Sequence, residues 1–110
     1  MNELFLNKWK SQVKKGTLSF IILCLLEKKE MYGYELIEEM STKLSIKIAE
    51  GTLYPLLNRL KSDTLIASNW IEQSSGIPRK YYKLTDEGHK TLREMKKSWN
   101  DLIFQLKGII

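Results

Sequence analysis

Apolar side chains recur at helical spacing in several segments, most regularly near the middle of the chain. In the stretch Glu50–Leu60 they take the i, i+3, i+4 and i+7 positions of one helix face, at Leu53, Leu56, Leu57 and Leu60. The opposite face carries hydroxyl, phenol, amide and cationic groups that can bond phosphate oxygens and base edges of DNA, namely Thr52, Tyr54, Asn58, Arg59 and Lys61. An ordinary helix with a solvated face fits this stretch alone equally well.

The N-terminal part predicts two helices separated by a break. The first, over residues 3–14, has lysines between the apolar positions of a stripe formed by Phe5, Leu6, Trp9 and Val13. Gly16 then predicts a break, and Thr17 a helix N-cap. The helix that follows runs to about Lys28 and is apolar on most sides, so we expect it to be central and buried.

A third helix after Met31–Gly33 has its inward positions at Leu36, Ile37, Met40 and Leu44. Only the short turn 45–49 separates it from Glu50–Leu60, although that turn offers no Ser or Asp N-cap. This predicts a helix-turn-helix, in which the second helix reads DNA. Gly51 costs that helix about 1 kcal/mol relative to alanine, which a close backbone approach would explain. Packing on the preceding helix is the favoured reason, and contact with a phosphate is the alternative.

Beyond Asp63 the apolar period changes from helical to alternating. Residues 65–72 predict a strand, residues 73–78 are rich in turn-forming types, and Arg79–Leu84 predicts a second strand. The result is a β-hairpin with two cations, Arg79 and Lys80, near its tip.

The last segment predicts a helix with its own apolar seam. Thr85 is a candidate N-cap, and two acids follow it in the first turn. The seam alternates steps of three and four residues, as in a coiled coil, through Leu92, Met95, Trp99, Leu102, Leu106 and Ile109. In so small a domain this seam predicts a dimer contact, with the N-terminal stripe as its complement.

Composition and charge limit the number of domains and the classes of partner and activity that the chain can have. A chain of 110 residues with 43% apolar content is one compact domain, and its formal charge of +5 suits a polyanionic partner. A single cysteine, Cys24, fits the reducing cytoplasm, and the apolar run around it is too short to span a membrane. The sequence has one histidine, His89, with no second His or Cys nearby, so we expect no metal site and no cofactor. It also lacks a recognisable set of nucleophile, base and orienting group, so we do not expect an enzyme.

Four motifs in this order resemble the PadR family of bacterial transcriptional regulators: Lys15–Leu18, Met31–Leu36, Glu50–Leu60 and Arg79–Gly88. The resemblance implies a mainly α fold with a small β-hairpin, a winged helix-turn-helix with N- and C-terminal dimerisation helices. It also implies a homodimeric repressor on a pseudo-palindromic operator in double-stranded DNA. The corresponding domain limits are 15–84 for the DNA-binding domain and 85–110 for the dimerisation helix, joined by helix 3–14. A winged helix that contacts only proteins is the alternative.

The short C-terminal part is similar to small members of that family, and this implies an effector site. In some of them a tryptophan on the last helix faces its dimer mate and stacks with flat aromatic compounds, and Trp99 stands at the matching place. With Ile103 and Trp9 it forms the expected ligand site; the alternative is that Trp99 is only a seam residue. One departure is Ile77 at the wing tip, which leaves any wing contact with DNA to Arg79 and Lys80.

Overall fold

Four helices and one small antiparallel sheet make up the protein, which confirms the expected mainly α fold with a small hairpin. The computed structural model describes residues 1–110. The helices are α1 (Glu3–Lys28), α2 (Gly33–Leu44), α3 (Glu50–Ser62) and α4 (Asp86–Lys107), and the strands are β1 (Met31–Tyr32), β2 (Ile66–Ile71) and β3 (Arg79–Leu84). No helix combines the length and the apolar character that crossing a membrane requires.

The first helix is continuous, so the predicted break at Gly16–Thr17 is wrong. Thr17 does not cap a helix, because its hydroxyl donates to the carbonyl of Val13, 2.8 Å away, one turn earlier in α1. The cap is Asn2, whose side chain accepts from the Phe5 N–H at 2.9 Å. Burial of the α1 side chains Leu18, Ile22, Leu23 and Leu26 outweighs the cost of one mid-helix glycine.

The sheet has three strands rather than the two of the predicted hairpin. Its order is β1-β3-β2, and the Met31–Tyr32 segment, expected to be only a break, pairs antiparallel with β3 opposite Tyr82 and Tyr81. Two residues are too few for an alternating pattern, so the sequence carried no signal for this strand.

One core of 15 buried apolar side chains draws on all four helices and all three strands. The four leucines of α3 lie in it, as predicted from their spacing. Leu92 also lies in it, with 0% exposure, which corrects its assignment to the dimer seam. Met95 packs against the same core. Leu44 was expected to point inward but is 47% exposed, because α2 ends there, at the left-handed cap residue Ser45.

The beginning of α4 is attached to the turn between α3 and β2. Thr85 is its N-cap, as predicted, since its Oγ1 accepts from the Gly88 N–H at 2.9 Å. The same hydroxyl donates to the Thr64 carbonyl at 2.6 Å, and the Thr85 N–H donates to the Leu65 carbonyl at 3.1 Å. These bonds set the direction in which α4 leaves the domain.

Candidate nucleic-acid interface

The outer face of α3 is the centre of the candidate interface. Thr52, Asn58, Arg59 and Lys61 are exposed on it. Its N-cap, Ala49, makes no side-chain cap hydrogen bond, in agreement with the missing Ser or Asp. Gly51 is exposed, and a Cβ added there would meet no atom within 4 Å. Packing on α2 therefore does not explain this glycine, and that interpretation is wrong.

Tyr54 is less available than its position in the sequence indicated. Its ring is partly buried against Gly33 at the start of α2, where an added Cβ would lie 2.2 Å from the Tyr54 hydroxyl. Burial, and then the nearby Glu50 carboxylate, raise the pKa of Tyr54. The side chain is thus a neutral phenol held between two helices rather than a freely presented group.

A groove lies between α3 and the β2–β3 hairpin and is here called the wing groove. It is lined by most of the predicted DNA-contact residues of the helix and the hairpin. Its volume is about 760 Å³, and its lining includes Tyr54 and Asn58 from α3 and Trp70, Arg79 and Lys80 from the hairpin. No carboxylate lines it. Polar groups of α3 and cations of the hairpin therefore line one groove whose lining contains no Asp or Glu.

Aromatic rings hold the two hairpin cations in place. The Arg79 guanidinium lies 4.5 Å from the centre of the Tyr32 ring. The Lys80 ammonium lies 5.8 Å from the Trp70 ring and 5.9 Å from the Tyr82 ring. Cation–π contacts at exposed sites contribute about 0.5–1 kcal/mol each, and they do not neutralise the positive charge.

Sequence reasoning missed every aromatic residue of the wing groove except Tyr54. Of the four missed, Tyr32, Tyr34, Trp70 and Tyr82, the most exposed are Trp70 at 66% and Tyr34 at 61%. Trp70 pairs with Lys80 in the hairpin register, so an assumed register would have placed it beside the cation. Tyr34 gave no such signal, because its neighbour Glu50 is distant in sequence. Hydrogen bonding to Glu50, and then the Glu50 charge, raise the pKa of Tyr34.

The other flank of α3 faces α1 across a second groove, the α1 groove, of about 330 Å³. Two more of the predicted DNA contacts on α3, Thr52 and Arg59, line this groove. Lys15 and Ser19 of α1 lie opposite them. Lys61 is exposed but lines neither groove. The predicted DNA contacts thus divide between the two sides of one helix.

Trp99 lies at a separate cavity, between α1 and α4. Its ring centre is 5.7 Å from that of Phe20, and the cavity of about 390 Å³ is bounded by Gly16 and Thr17 on α1 and by Leu102 on α4. Trp9 and Ile103, expected beside Trp99 in a ligand site, do not line this cavity. Within one protomer the expected three-residue site therefore reduces to Trp99.

Beyond this cavity the free ends of α1 and α4 expose apolar side chains. Three exposed seam residues lie on α4, namely Trp99, Leu102 and Leu106. The fourth, Ile109, was predicted on the helix but follows its end at Lys107; these four residues are here called the terminal seam. On α1 the exposed residues of the N-terminal stripe are Phe5, Trp9 and Val13. The radius of gyration is 16.0 Å, whereas a compact domain of this length has about 13 Å, because these helix ends project from the core.

Comparison with known proteins gives consistent matches. The family model described as "Transcriptional regulator PadR-like family" matches residues 22–94. A PadR family regulator from Eggerthella lenta is similar in structure, with a TM-score of 0.84, 36% identity and coverage of 96% of this chain and 91% of that one. A PadR-like regulator from Bacillus cereus has a TM-score of 0.81 and 36% identity, and the match covers 89% of this chain and 95% of that one. A transcriptional regulator from Mycobacterium tuberculosis is 33% identical over 81 residues, 72% of each chain.

Proposed function

The chain belongs to the PadR-like family of transcriptional regulators, and we propose that it binds double-stranded DNA as a homodimer and represses transcription from a pseudo-palindromic operator. The observation that carries the proposal is the outer face of α3. It presents hydroxyl, amide and guanidinium groups between two grooves, and no carboxylate lines either groove. This is the inventory that a helix needs in a major groove.

Each group has a proposed role. Thr52 and Asn58 read base edges, and the phenol of Tyr54 contributes from the edge of the wing groove. Arg59 and Lys61 bind phosphates, as do Arg79 and Lys80 on the hairpin. Gly51, with open space above its Cα, lets the backbone of α3 approach a phosphate closely. This was the alternative explanation of the glycine from the sequence, and the absence of any packing neighbour supports it.

Replacing Arg59 with alanine tests the interface. We expect weaker binding both to a labelled duplex from upstream of the protein's own gene and to an unrelated duplex, because a phosphate contact carries no sequence information. The slope of log affinity against log salt should fall by about 0.9 per lost phosphate contact. Replacing Thr52 with alanine should instead reduce discrimination between the two duplexes, by about 1–3 kcal/mol for a lost base contact.

Binding is measured by fluorescence titration of the labelled duplexes at two salt concentrations, and two further variants complete the experiment. Asn100→Ala, on the exposed surface of α4, is the control and should bind like the wild type. Gly51→Ala should leave the fold intact, because its Cβ meets open space, yet weaken binding if the backbone approaches DNA. Wild-type affinity for Arg59→Ala, Thr52→Ala and Gly51→Ala alike would contradict DNA binding through this face and favour a protein-contact role.

The homodimer rests on the projecting ends of α1 and α4. Contiguous apolar surface of this kind is uncommon on monomers and typical of interfaces. A second copy, arranged about a twofold axis, would cover the terminal seam and the N-terminal stripe, and would place two copies of α3 at the two half-sites of an operator.

We further propose that a planar aromatic compound binds at Trp99 and lowers DNA affinity. The indole is 39% exposed at the edge of an apolar cavity, and stacking on it adds about 0.5–1.5 kcal/mol beyond area burial. In a dimer the twofold axis would bring two such rings near each other. To regulate, the compound must bind the DNA-free arrangement more tightly than the DNA-bound one.

Titration with planar cationic dyes, followed by tryptophan emission, tests this site. We expect saturable quenching in the wild type that disappears in Trp99→Ala. Trp70→Ala is the matched control, because it removes another exposed indole, at the wing, and should keep the saturable component. Quenching that is equal in the wild type and in Trp99→Ala would assign Trp99 to packing alone.

A further inference from the structure

The middle of α1 runs beside the reader helix and carries positive charge there. Next to the α1 groove is a smaller one of about 140 Å³, which also includes Thr52 and Lys15 and is closed by Lys14 on α1 and Lys47 in the α2–α3 turn. The two grooves thus form one strip along the α1 side of α3. Four cations line it, namely Lys14, Lys15, Lys47 and Arg59.

These cations have no acidic partner. No Asp or Glu lines either groove, and the three ion pairs of the protein engage other cations, Lys29, Lys43 and Lys96. Like charges gathered from three elements without a counter-charge repel each other. A bound polyanion removes that repulsion, whereas a neutral or basic partner does not.

We infer that α1, through Lys14 and Lys15 together with Lys47, forms a second phosphate-binding edge of the DNA interface. The inference rests on the proposed function and extends it to a helix outside the reader helix and the wing. The occupant is the sugar-phosphate backbone of duplex DNA, whose regularly spaced charges match a strip of cations better than a single small anion does.

The two flanks of α3 explain why two edges are needed. Thr52 and Arg59, seven residues and therefore about two turns apart, lie toward α1, whereas Tyr54 and Asn58 lie toward the wing. A helix in the major groove has a phosphate backbone on each side. Arg79 and Lys80 of the hairpin serve one side, and the α1 strip serves the other. The hydroxyls of Ser11 and Ser19 add neutral donors to the α1 side.

Dimerisation through α1 leaves this strip accessible. At about 100° per residue, Ser11, Lys14 and Leu18 fall on the side of α1 opposite the stripe of Phe5, Trp9 and Val13. The N-terminal stripe can therefore face a second copy while the lysines face DNA.

The test is the double variant Lys14→Gln, Lys15→Gln, titrated with the upstream duplex and with an unrelated duplex across a fourfold range of salt. We expect weaker binding to both duplexes. For each lost phosphate contact, the ratio of the affinities at the lowest and the highest salt concentration should be about 3.5 times smaller than in the wild type. The matched control, Lys90→Gln with Lys97→Gln, removes the same charge from exposed sites on α4 and should shift affinity far less.

The outcomes separate the inference from the proposed function. A salt slope equal to that of the α4 control, while Arg59→Ala still flattens it, would overturn the α1 edge and leave DNA binding intact. Absence of wild-type binding to either duplex would overturn the proposed function itself. A lower affinity for the upstream duplex alone would also contradict the inference, because phosphate contacts act on every sequence. Far-UV circular dichroism should be unchanged in both double variants, since none of the four lysines forms an ion pair.

Discussion

Replacing Gly88 with alanine is expected to destabilise the fold by about 1–3 kcal/mol, the usual cost of forcing extra volume into a packed site. A Cβ at this position in the first turn of α4 would lie 2.0 Å from the carbonyl oxygen of Leu65 and 3.0 Å from its carbonyl carbon. Both atoms belong to the backbone that leads into β2, so no side-chain rotation relieves the clash. The first turn of α4 would have to move away from the Thr64 and Leu65 carbonyls to which Thr85 donates.

Gly16→Ala is the matched control for this substitution. Gly16 lies inside α1 and an added Cβ meets nothing within 4 Å, so the higher helix propensity of alanine should raise stability by about 1 kcal/mol. Chemical denaturation at one protein concentration measures both variants, because the proposed dimerisation would make apparent stability depend on concentration. Equal stability of Gly88→Ala and the wild type would contradict the close contact between α4 and Leu65.

Replacing Leu102 with glutamate is expected to abolish the proposed dimer. Leu102 is 47% exposed in the protomer and belongs to the terminal seam, so the protomer should remain folded. In a symmetric dimer the substitution introduces two carboxylates into one apolar interface, and burying a charge without a partner costs several kcal/mol. Sedimentation velocity should show monomer or aggregate instead of dimer. Operator affinity should fall as well, because the two half-sites would no longer be bound by one molecule.

Asn100→Glu provides the control, because it introduces the same charge on the opposite side of α4. This variant should sediment as the wild type does. A dimer of unchanged stability in Leu102→Glu would exclude the terminal seam as the interface, and the exposed apolar residues at the end of α4 would need another partner.

Residues whose position follows from local spacing were placed correctly from the sequence. The leucines of α3 form its inner face, Thr85 caps α4, and Arg79 and Lys80 lie at the start of β3 near the hairpin turn. Helical period, capping chemistry and turn composition act over a few residues, so they can be read along the chain. The same reasoning identified the polar face of α3 as a candidate reader.

Residues whose role depends on distant neighbours were predicted less well. The seam pattern of α4 includes Leu92, which its own domain buries, because the spacing of apolar residues does not reveal which surface covers them. Gly16 and Thr17 resemble a helix boundary, yet burial of the following α1 residues carries the helix through them. The strand β1 exists only because β3 pairs with it.

The sequence by itself determined the order of helices and hairpin, the inner face of α3 and the chemistry of its outer face, since these depend on neighbours within about two turns. Only the tertiary structure decided how that outer face is surrounded. It placed Tyr34 in the wing groove that the hairpin cations also line, held Tyr54 against Gly33, and brought Lys14 and Lys15 alongside Thr52. The reason is physical: these contacts join residues far apart in the chain, and packing of the common core sets their distances.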